Sequence, residues 1–127
     1  MEKYQTNDDS TTISYLKRLV TKFRDDREWI KYHNPKDLAI SISIEAGELL
    51  ELFQWKSLEE INKLLENPEY LKKIRHELAD IIIYCLSLAD ILQIDVTEAI
   101  VEKIKINEEK YPVEKFKSRY YKPWEVL

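Results

Sequence analysis

The chain has 127 residues and a net charge of −4, from 24 acidic and 20 basic side chains. This length predicts one domain, and 44% hydrophobic with 35% charged residues excludes both a disordered chain and a membrane-embedded one. A single Gly disfavours an all-β fold and excludes a Gly-rich phosphate loop. One Cys excludes an internal disulfide and a thiolate zinc cage. The mildly acidic balance argues against a polymeric nucleic acid as partner.

The N-terminal residues are polar and contain no signal-peptide core. The longest apolar run, from Ile81 to Ala89, is too short to cross a bilayer. We therefore expect a cytoplasmic protein with no membrane partner.

Hydrophobic periodicity predicts four long helices, over residues 11–32, 35–55, 69–93 and 96–110. The first has Ser10, Thr11 or Thr12 as its N-cap. The alternating Ile and Ser residues at 40–44 also fit a strand, but strong helix formers follow them without a turn signal. Ser57 and Glu60 form a capping box that opens a short linker helix before the third long helix.

The third long helix is apolar on nearly every side between Leu78 and Leu92, so we expect it to be central and buried. Short connections between long helices predict an all-α fold with a four-helix bundle core. Residues 1–112 are expected to form the domain, with a frayed leader at 1–10. Residues 113–127 are expected to form an irregular basic and aromatic tail.

Two pairs of acidic residues are the most informative feature of the sequence. Glu45 and Glu48 are three residues apart, as are Glu77 and Asp80, so each pair lies on one helical face. Most such pairs are solvated, but these two are embedded in apolar segments, where carboxylates are costly unless neutralised. Two carboxylates about 5 Å apart repel by roughly 3 kcal/mol at an effective dielectric of about 20. If the two helices pack together, a divalent cation is the simplest remedy.

Carboxylates without His or Cys favour hard cations, so we expect Mg²⁺, with Mn²⁺ as a possible substitute. A di-iron bundle requires Glu-x-x-His motifs. Ile30 stands three residues before His33 and Lys73 three residues before His76, which argues against iron.

The acidic pairs and several other motifs together resemble the MazG-like, all-α nucleoside triphosphate pyrophosphohydrolases, in particular the dCTP pyrophosphatase branch. The resemblance covers residues 16–112. Its motifs are Arg27-Glu28-Trp29, His33-x-Pro35, Glu45-Ala46-Gly47-Glu48-Leu49, Leu52-Phe53-Gln54-Trp55-Lys56, Glu77-Leu78-Ala79-Asp80, and Lys103-Ile104-x-x-Asn107 through Tyr111-Pro112.

The resemblance implies Mg²⁺-dependent hydrolysis of a nucleoside triphosphate to the monophosphate and pyrophosphate, as part of clearing surplus or non-canonical nucleotides. It implies a homodimer or a dimer of dimers. The implied catalytic and metal-binding residues are Glu45, Glu48, Glu77 and Asp80. The implied substrate-binding residues are Trp29, Trp55, Tyr84, Lys103, Asn107, Lys110 and Tyr111.

One position departs from the dCTP pyrophosphatase pattern. The dCTP-specific members carry a histidine on the first helix where this chain has Val20, so the resemblance leaves the preferred base open.

Two alternatives to this interpretation remain open. One is a relative that acts on dUTP or phosphoribosyl-ATP. The other is a non-catalytic, oligomeric helical interaction module, in which the acidic residues pair with Lys or Arg across an interface.

Overall fold

Helices account for all the regular secondary structure in residues 6–118, the part of the chain that the computed structural model describes. This confirms the all-α prediction. The elements are α1 (Ile13–Asp26), a 3-10 turn (Trp29–Tyr32), α2 (Pro35–Glu51), α3 (Leu58–Leu64), α4 (Pro68–Ile91), α5 (Val96–Lys110) and α6 (Val113–Phe116).

Side-chain caps set the helix starts. Thr12, Asn34, Ser57, Asn67 and Asp95 each accept a hydrogen bond from a backbone N–H in the first turn of the helix that follows. The capping box of α3 is present as predicted. A proline occupies the first position of α2 and of α4, where no intrahelical donor is needed.

The predicted helix over 11–32 is wrong after Asp26. The α-helix ends at Asp26, and Glu28 takes a left-handed conformation with φ of 55° before the 3-10 turn. The N–H groups of Arg27 and Glu28 bond to carbonyls three residues back, which tightens the last turn. The sequence contains no Gly, Pro or Asn at this break to announce it.

The observed ends of two other helices also differ from the predicted ones. The second helix ends at Glu51 rather than at residue 55, because a tightened turn follows and Trp55 is left-handed with φ of 65°. The helix predicted over 69–93 spans Pro68–Ile91, with Gln93 left-handed at φ of 55°. The predicted helix over 96–110 and the observed α5 agree.

In the first compact unit, which extends to Gln93, α4 packs against both α1 and α2. Leu38, Leu86 and Ala89 are buried there. The Tyr70 hydroxyl donates to the Leu52 carbonyl and ties the start of α4 to the end of α2. The central position predicted for α4 is confirmed. The prediction that it is buried on nearly every side is wrong, since large apolar side chains on it are about half exposed.

A second compact unit begins at Ile94 and contains α5 and α6. Tyr111 and Phe116 pack edge to face within it, with ring centroids 5.1 Å apart. The boundary between the units falls inside the domain predicted over 1–112, and α6 forms the start of the tail predicted to be irregular. Residues 1–5 of the leader and 119–127 of the tail lie outside the described residues. Within residues 6–118, no helix has both the length and the apolar character needed to span a bilayer.

Candidate active site

Three glutamates on two packed helices form what we call the carboxylate cluster: Glu45 and Glu48 from α2 and Glu77 from α4. One carboxylate oxygen of each lies within 4.8 Å of those of the other two. The spacing of three residues places Glu45 and Glu48 on one face of α2. The packing of α2 on α4 then adds Glu77.

No Lys or Arg of the described part of the chain forms an ion pair with the carboxylate cluster. Among the described residues, one oxygen of Glu45 and one of Glu77 are buried and have no hydrogen-bond partner. The ion pairs found in residues 6–118 join Lys22 or Arg24 to other carboxylates. A buried acidic oxygen without a hydrogen-bond partner, on a side chain close to other carboxylates, is unfavourable on its own. The donor set is all oxygen and therefore fits a hard divalent cation such as Mg²⁺.

The pKa values of Glu45 and Glu77 reflect the same unfavourable convergence of carboxylates. Burial raises the pKa of Glu45 to about 7, assisted by a hydrogen bond to Glu48 and by the charges of Glu48, Asp80 and Glu77. Burial also raises the pKa of Glu77, with further contributions from Glu48 and Asp80. In the metal-free protein the cluster therefore retains a proton above the usual range for glutamate.

Asp80 follows Glu77 by one turn of α4 and stands apart from the carboxylate cluster. Its oxygens are not among the three that converge within 4.8 Å. Its charge nevertheless raises the pKa of both Glu45 and Glu77, and its side chain lines a neighbouring cavity. Asp80 thus marks the border between the cluster and the cavity.

The cavity has a volume of about 560 Å³ and lies between α1 and α4. We call it the α1–α4 cavity. Val20 and Phe23 of α1 line it, and Trp29 and His33 line it from the 3-10 turn and the residue after it. Trp29 meets Phe23 edge to face at 5.7 Å between ring centroids. A mostly apolar cavity with aromatic walls suits a flat ring such as a nucleobase.

One face of α4 connects the carboxylate cluster to the α1–α4 cavity. Glu77, Asp80, Tyr84 and Ser87 occur at intervals of three or four residues and so project in similar directions. Asp80, Tyr84 and Ser87 all line the cavity. Burial raises the pKa of Tyr84, and the charges of Glu45, Asp80 and Glu48 raise it further. The Tyr84 hydroxyl is therefore within electrostatic reach of the carboxylate cluster.

Other residues predicted to bind substrate lie elsewhere. Trp55 is 91% exposed and does not line the α1–α4 cavity. Lys103, Asn107 and Lys110 follow one face of α5, and Tyr111 comes directly after that helix, all in the second unit.

Gly47 faces open space, since a Cβ added to it would meet no atom of the described residues within 4 Å. Close approach of another helix within the described chain therefore does not explain this glycine.

Sequence reasoning missed three polar residues that line the α1–α4 cavity: Arg24, His33 and Ser87. The sequence points to His33 only as part of the His33-x-Pro35 motif and in the argument against iron. The signal for Arg24 was its position four residues after Val20, which places a charge on the apolar stripe of α1. Ser87 likewise interrupts the apolar run of α4 three residues after Tyr84.

The raised pKa of Glu45 predicts a pH dependence of stability. In the unfolded chain Glu45 releases its proton near pH 4.5, whereas in the folded, metal-free protein it holds the proton up to about pH 7. The folded state binds more protons between these values, so this contribution to stability falls as the pH rises through that window. The melting temperature in chelator should fall less steeply in Glu45→Gln than in the parent. Equal slopes in the two proteins would contradict the assignment.

Comparison with known proteins yields matches of three kinds. A model of the MazG-like family matches residues 40–123. The dCTP pyrophosphatase 1 of Rattus norvegicus is 35% identical over 102 residues, which are 80% of this chain and 60% of the relative. The dCTP pyrophosphatase 1 of Homo sapiens is 35% identical over 101 residues, which are 80% of this chain and 59% of the relative. The chain thus spans about three fifths of the length of these curated relatives.

A solved structure also matches. It is a crystal structure of a pyrophosphatase from Archaeoglobus fulgidus, with a TM-score of 0.72 and 46% sequence identity. The match covers 79% of this chain and 92% of the other.

Proposed function

The chain belongs to the MazG-like family, and we propose that it is a Mg²⁺-dependent nucleoside triphosphate pyrophosphohydrolase. The observation that carries the proposal is the adjacency of the carboxylate cluster and the α1–α4 cavity along α4. A triphosphate requires cations at one end, and a base requires a flat apolar slot at the other. The proposed substrate is a deoxynucleoside triphosphate, either dCTP or one with a modified base.

We propose that Glu45, Glu48 and Glu77 hold the metal and that Asp80 completes the site. Mg²⁺ bound there would supply charge neutralisation for the phosphates and acidify a coordinated water. The unpartnered oxygens of Glu45 and Glu77 support this role, because they belong to carboxylates that converge with that of Glu48 within 4.8 Å. Hydrolysis between the α and β phosphates would release the nucleoside monophosphate and pyrophosphate.

The protein's own groups have separate tasks in this proposal. Trp29 and Phe23 provide the aromatic walls for the base, and Tyr84 lies where a sugar or a phosphate would bridge the two ends. Tyr84 keeps its proton because its pKa is raised, so its hydroxyl can donate a hydrogen bond to a phosphate oxygen.

Four residues on or directly after α5 are proposed to contact the phosphates. Lys103 and Lys110 offer ammonium groups, while Asn107 and Tyr111 offer neutral donors. Trp55 is proposed as a second stacking residue. Its exposed ring on the surface of one chain is compatible with a site that a second copy completes.

A homo-oligomer is part of the proposal. Ile44, Leu50 and Leu78 in the first unit are 57%, 58% and 49% exposed. Exposed apolar side chains at this density on neighbouring helices are typical of association surfaces. Light scattering coupled to gel filtration should give the mass of a dimer or a tetramer. A mass of about 15 kDa would reject the oligomer.

Product analysis tests the reaction. The purified protein is incubated with Mg²⁺ and a panel of ribo- and deoxynucleoside triphosphates, and the products are separated. Pyrophosphate and a monophosphate are expected. Orthophosphate and a nucleoside diphosphate would show cleavage between the β and γ phosphates and would contradict the proposed reaction. Absence of turnover on the whole panel would favour the non-catalytic interaction module.

Tryptophan fluorescence tests the stacking role of Trp29. A non-hydrolysable triphosphate analogue should quench emission in the presence of Mg²⁺, because a base stacked on the indole alters its environment. The background should be Trp124→Phe, which removes a tryptophan of the tail. The quench should be reduced in Trp29→Phe made on that background. An unchanged quench, with binding confirmed by calorimetry, would remove Trp29 from the base site.

A further inference from the structure

Three polar side chains, the buried Arg24 and Ser87 and the half-buried His33, form a chain of hydrogen bonds on the wall of the α1–α4 cavity. The Arg24 side chain is 5% exposed and Ser87 is 1% exposed. Asp25 and Asp90 hold the Arg24 guanidinium by ion pairs of 2.9 and 3.2 Å. Its Nη1 also donates to Ser87 Oγ at 3.4 Å. Two carboxylates thus fix the cation, which in turn fixes the serine hydroxyl.

The donor and acceptor roles in this chain follow from its first member. A guanidinium has no acceptor, so Ser87 Oγ must accept from Arg24. The hydroxyl proton of Ser87 is then available to His33 Nδ1, which lies 3.1 Å from Ser87 Oγ. In the tautomer in which Nδ1 accepts this proton, the neutral imidazole carries its own proton on Nε2.

The ring of His33 stays neutral near pH 7. Burial lowers the pKa of His33, and the positive charge of Arg24 lowers it further. Among residues 6–118, Ser87 is the hydrogen-bond partner of the His33 ring, and that bond uses Nδ1. In that tautomer Nε2–H is left as a donor on a residue that lines the cavity.

We infer that Arg24, Ser87 and His33 form a relay that offers the His33 Nε2–H to the base and favours bases with a carbonyl oxygen over adenine. The inference rests on the proposed function, because it assigns the α1–α4 cavity to the base. His33 touches the base and determines specificity. Ser87 and Arg24 are positioning residues, since they act through His33.

Because the cavity is mostly apolar, a single hydrogen-bond donor can determine which base binds there. The other polar side chains on the wall include Arg24, Asp80, Tyr84 and Ser87, while residues such as Phe23, Trp29 and Ile83 are largely apolar. Arg24 and Ser87 are engaged in the relay, so few acceptors remain for Nε2–H once a base excludes water. Cytosine, thymine and guanine each project a carbonyl oxygen beyond the ring, whereas adenine has none. A buried donor left without an acceptor typically costs a factor of about ten or more in discrimination.

A matched pair of variants at one position tests the donor. For the full chain with Mg²⁺, kcat/KM is measured with dCTP, dTTP, dGTP and dATP. The parent should disfavour dATP by about tenfold or more. His33→Leu should reduce this preference to about threefold or less. His33→Gln should retain most of it, because the glutamine amide nitrogen reaches the position of Nε2.

Ser87→Ala tests the positioning role. The preference against dATP should fall several-fold, mainly through KM. The ¹⁵N resonance of His33 Nδ1 should also move toward the value of an unprotonated nitrogen without a hydrogen bond. A serine that only fills space would leave both the preference and the resonance unchanged.

The outcomes separate this inference from the proposed function. If the parent releases pyrophosphate but shows no preference against dATP, the relay is overturned and the enzyme assignment stays intact. The same holds if His33→Leu and His33→Gln lose this preference equally. If the parent hydrolyses none of the four nucleotides, calorimetry with dCMP and dAMP decides. Tighter binding of dCMP that His33→Leu abolishes would support the relay. Equal binding of dCMP and dAMP by the parent would overturn it.

Discussion

Glu48→Gln should lower the rate of pyrophosphate release by about a hundredfold or more. The substitution keeps the shape of the side chain but removes the charge of one of three converging carboxylates. Asp80→Asn should have an effect of similar size if Asp80 completes the metal site. Both effects should appear in kcat at saturating Mg²⁺, because the chemistry requires a correctly placed metal and not binding alone.

Glu59→Gln is the matched control for this experiment. Glu59 lies on α3, is exposed, and has the same charge and size as Glu48. Its replacement should leave the rate within about twofold of the parent, as expected for a surface substitution. If Glu48→Gln retains the rate of Glu59→Gln, the carboxylate cluster is not the metal site.

Glu77→Gln should raise the melting temperature of the metal-free protein. In chelator, the substitution removes repulsion within the carboxylate cluster and replaces a buried, unpartnered acidic oxygen with a neutral group. A rise of a few degrees is expected for a domain of this size. The stabilisation gained on adding Mg²⁺ should become smaller, because one ligand is lost.

The sign of the shift distinguishes the enzyme from an interaction module. If Glu77 were instead paired with a Lys or Arg, neutralising it would leave that cation unpaired and lower the melting temperature. Thermal melts of the parent, Glu77→Gln and Glu59→Gln, in chelator and in excess Mg²⁺, give the comparison. A lower melting temperature for Glu77→Gln in chelator, with an unchanged response to Mg²⁺, would reject the metal site.

The helix starts were predictable because they depend on neighbours in sequence. Ser57 and Glu60 form their capping box within a single turn, so the pattern and the structure coincide. The helix ends at Asp26 and Glu51 were not predictable in this way. Each is followed by a left-handed residue, Glu28 or Trp55, whose identity does not favour that conformation. Such turns depend on packing between helices, which periodicity does not reveal.

The same distinction applies to the candidate site. The acidic pairs were visible because three-residue spacing defines a helical face, and only one packing contact was needed to bring Glu77 to Glu45. The contact between Arg24 and Ser87 joins residues 63 positions apart. Neither residue has a local pattern that points to the other, so this part of the cavity emerges only from the packing of α1 on α4.

In the proposed site, the face of α4 that bears Glu77, Asp80, Tyr84 and Ser87 would set the distance between the two ends of the substrate. Glu77 and Ser87 are ten residues apart, which is about 15 Å along a helix axis. Along this face the carboxylate cluster, the Tyr84 hydroxyl and the relay follow one another, in the order in which the proposal places phosphate, sugar and base. Because one rigid element sets this distance, the length of an acceptable ligand is fixed by the register of α4. Inserting one residue between Asp80 and Tyr84 would rotate the two ends by about 100° relative to each other and separate metal binding from base selection.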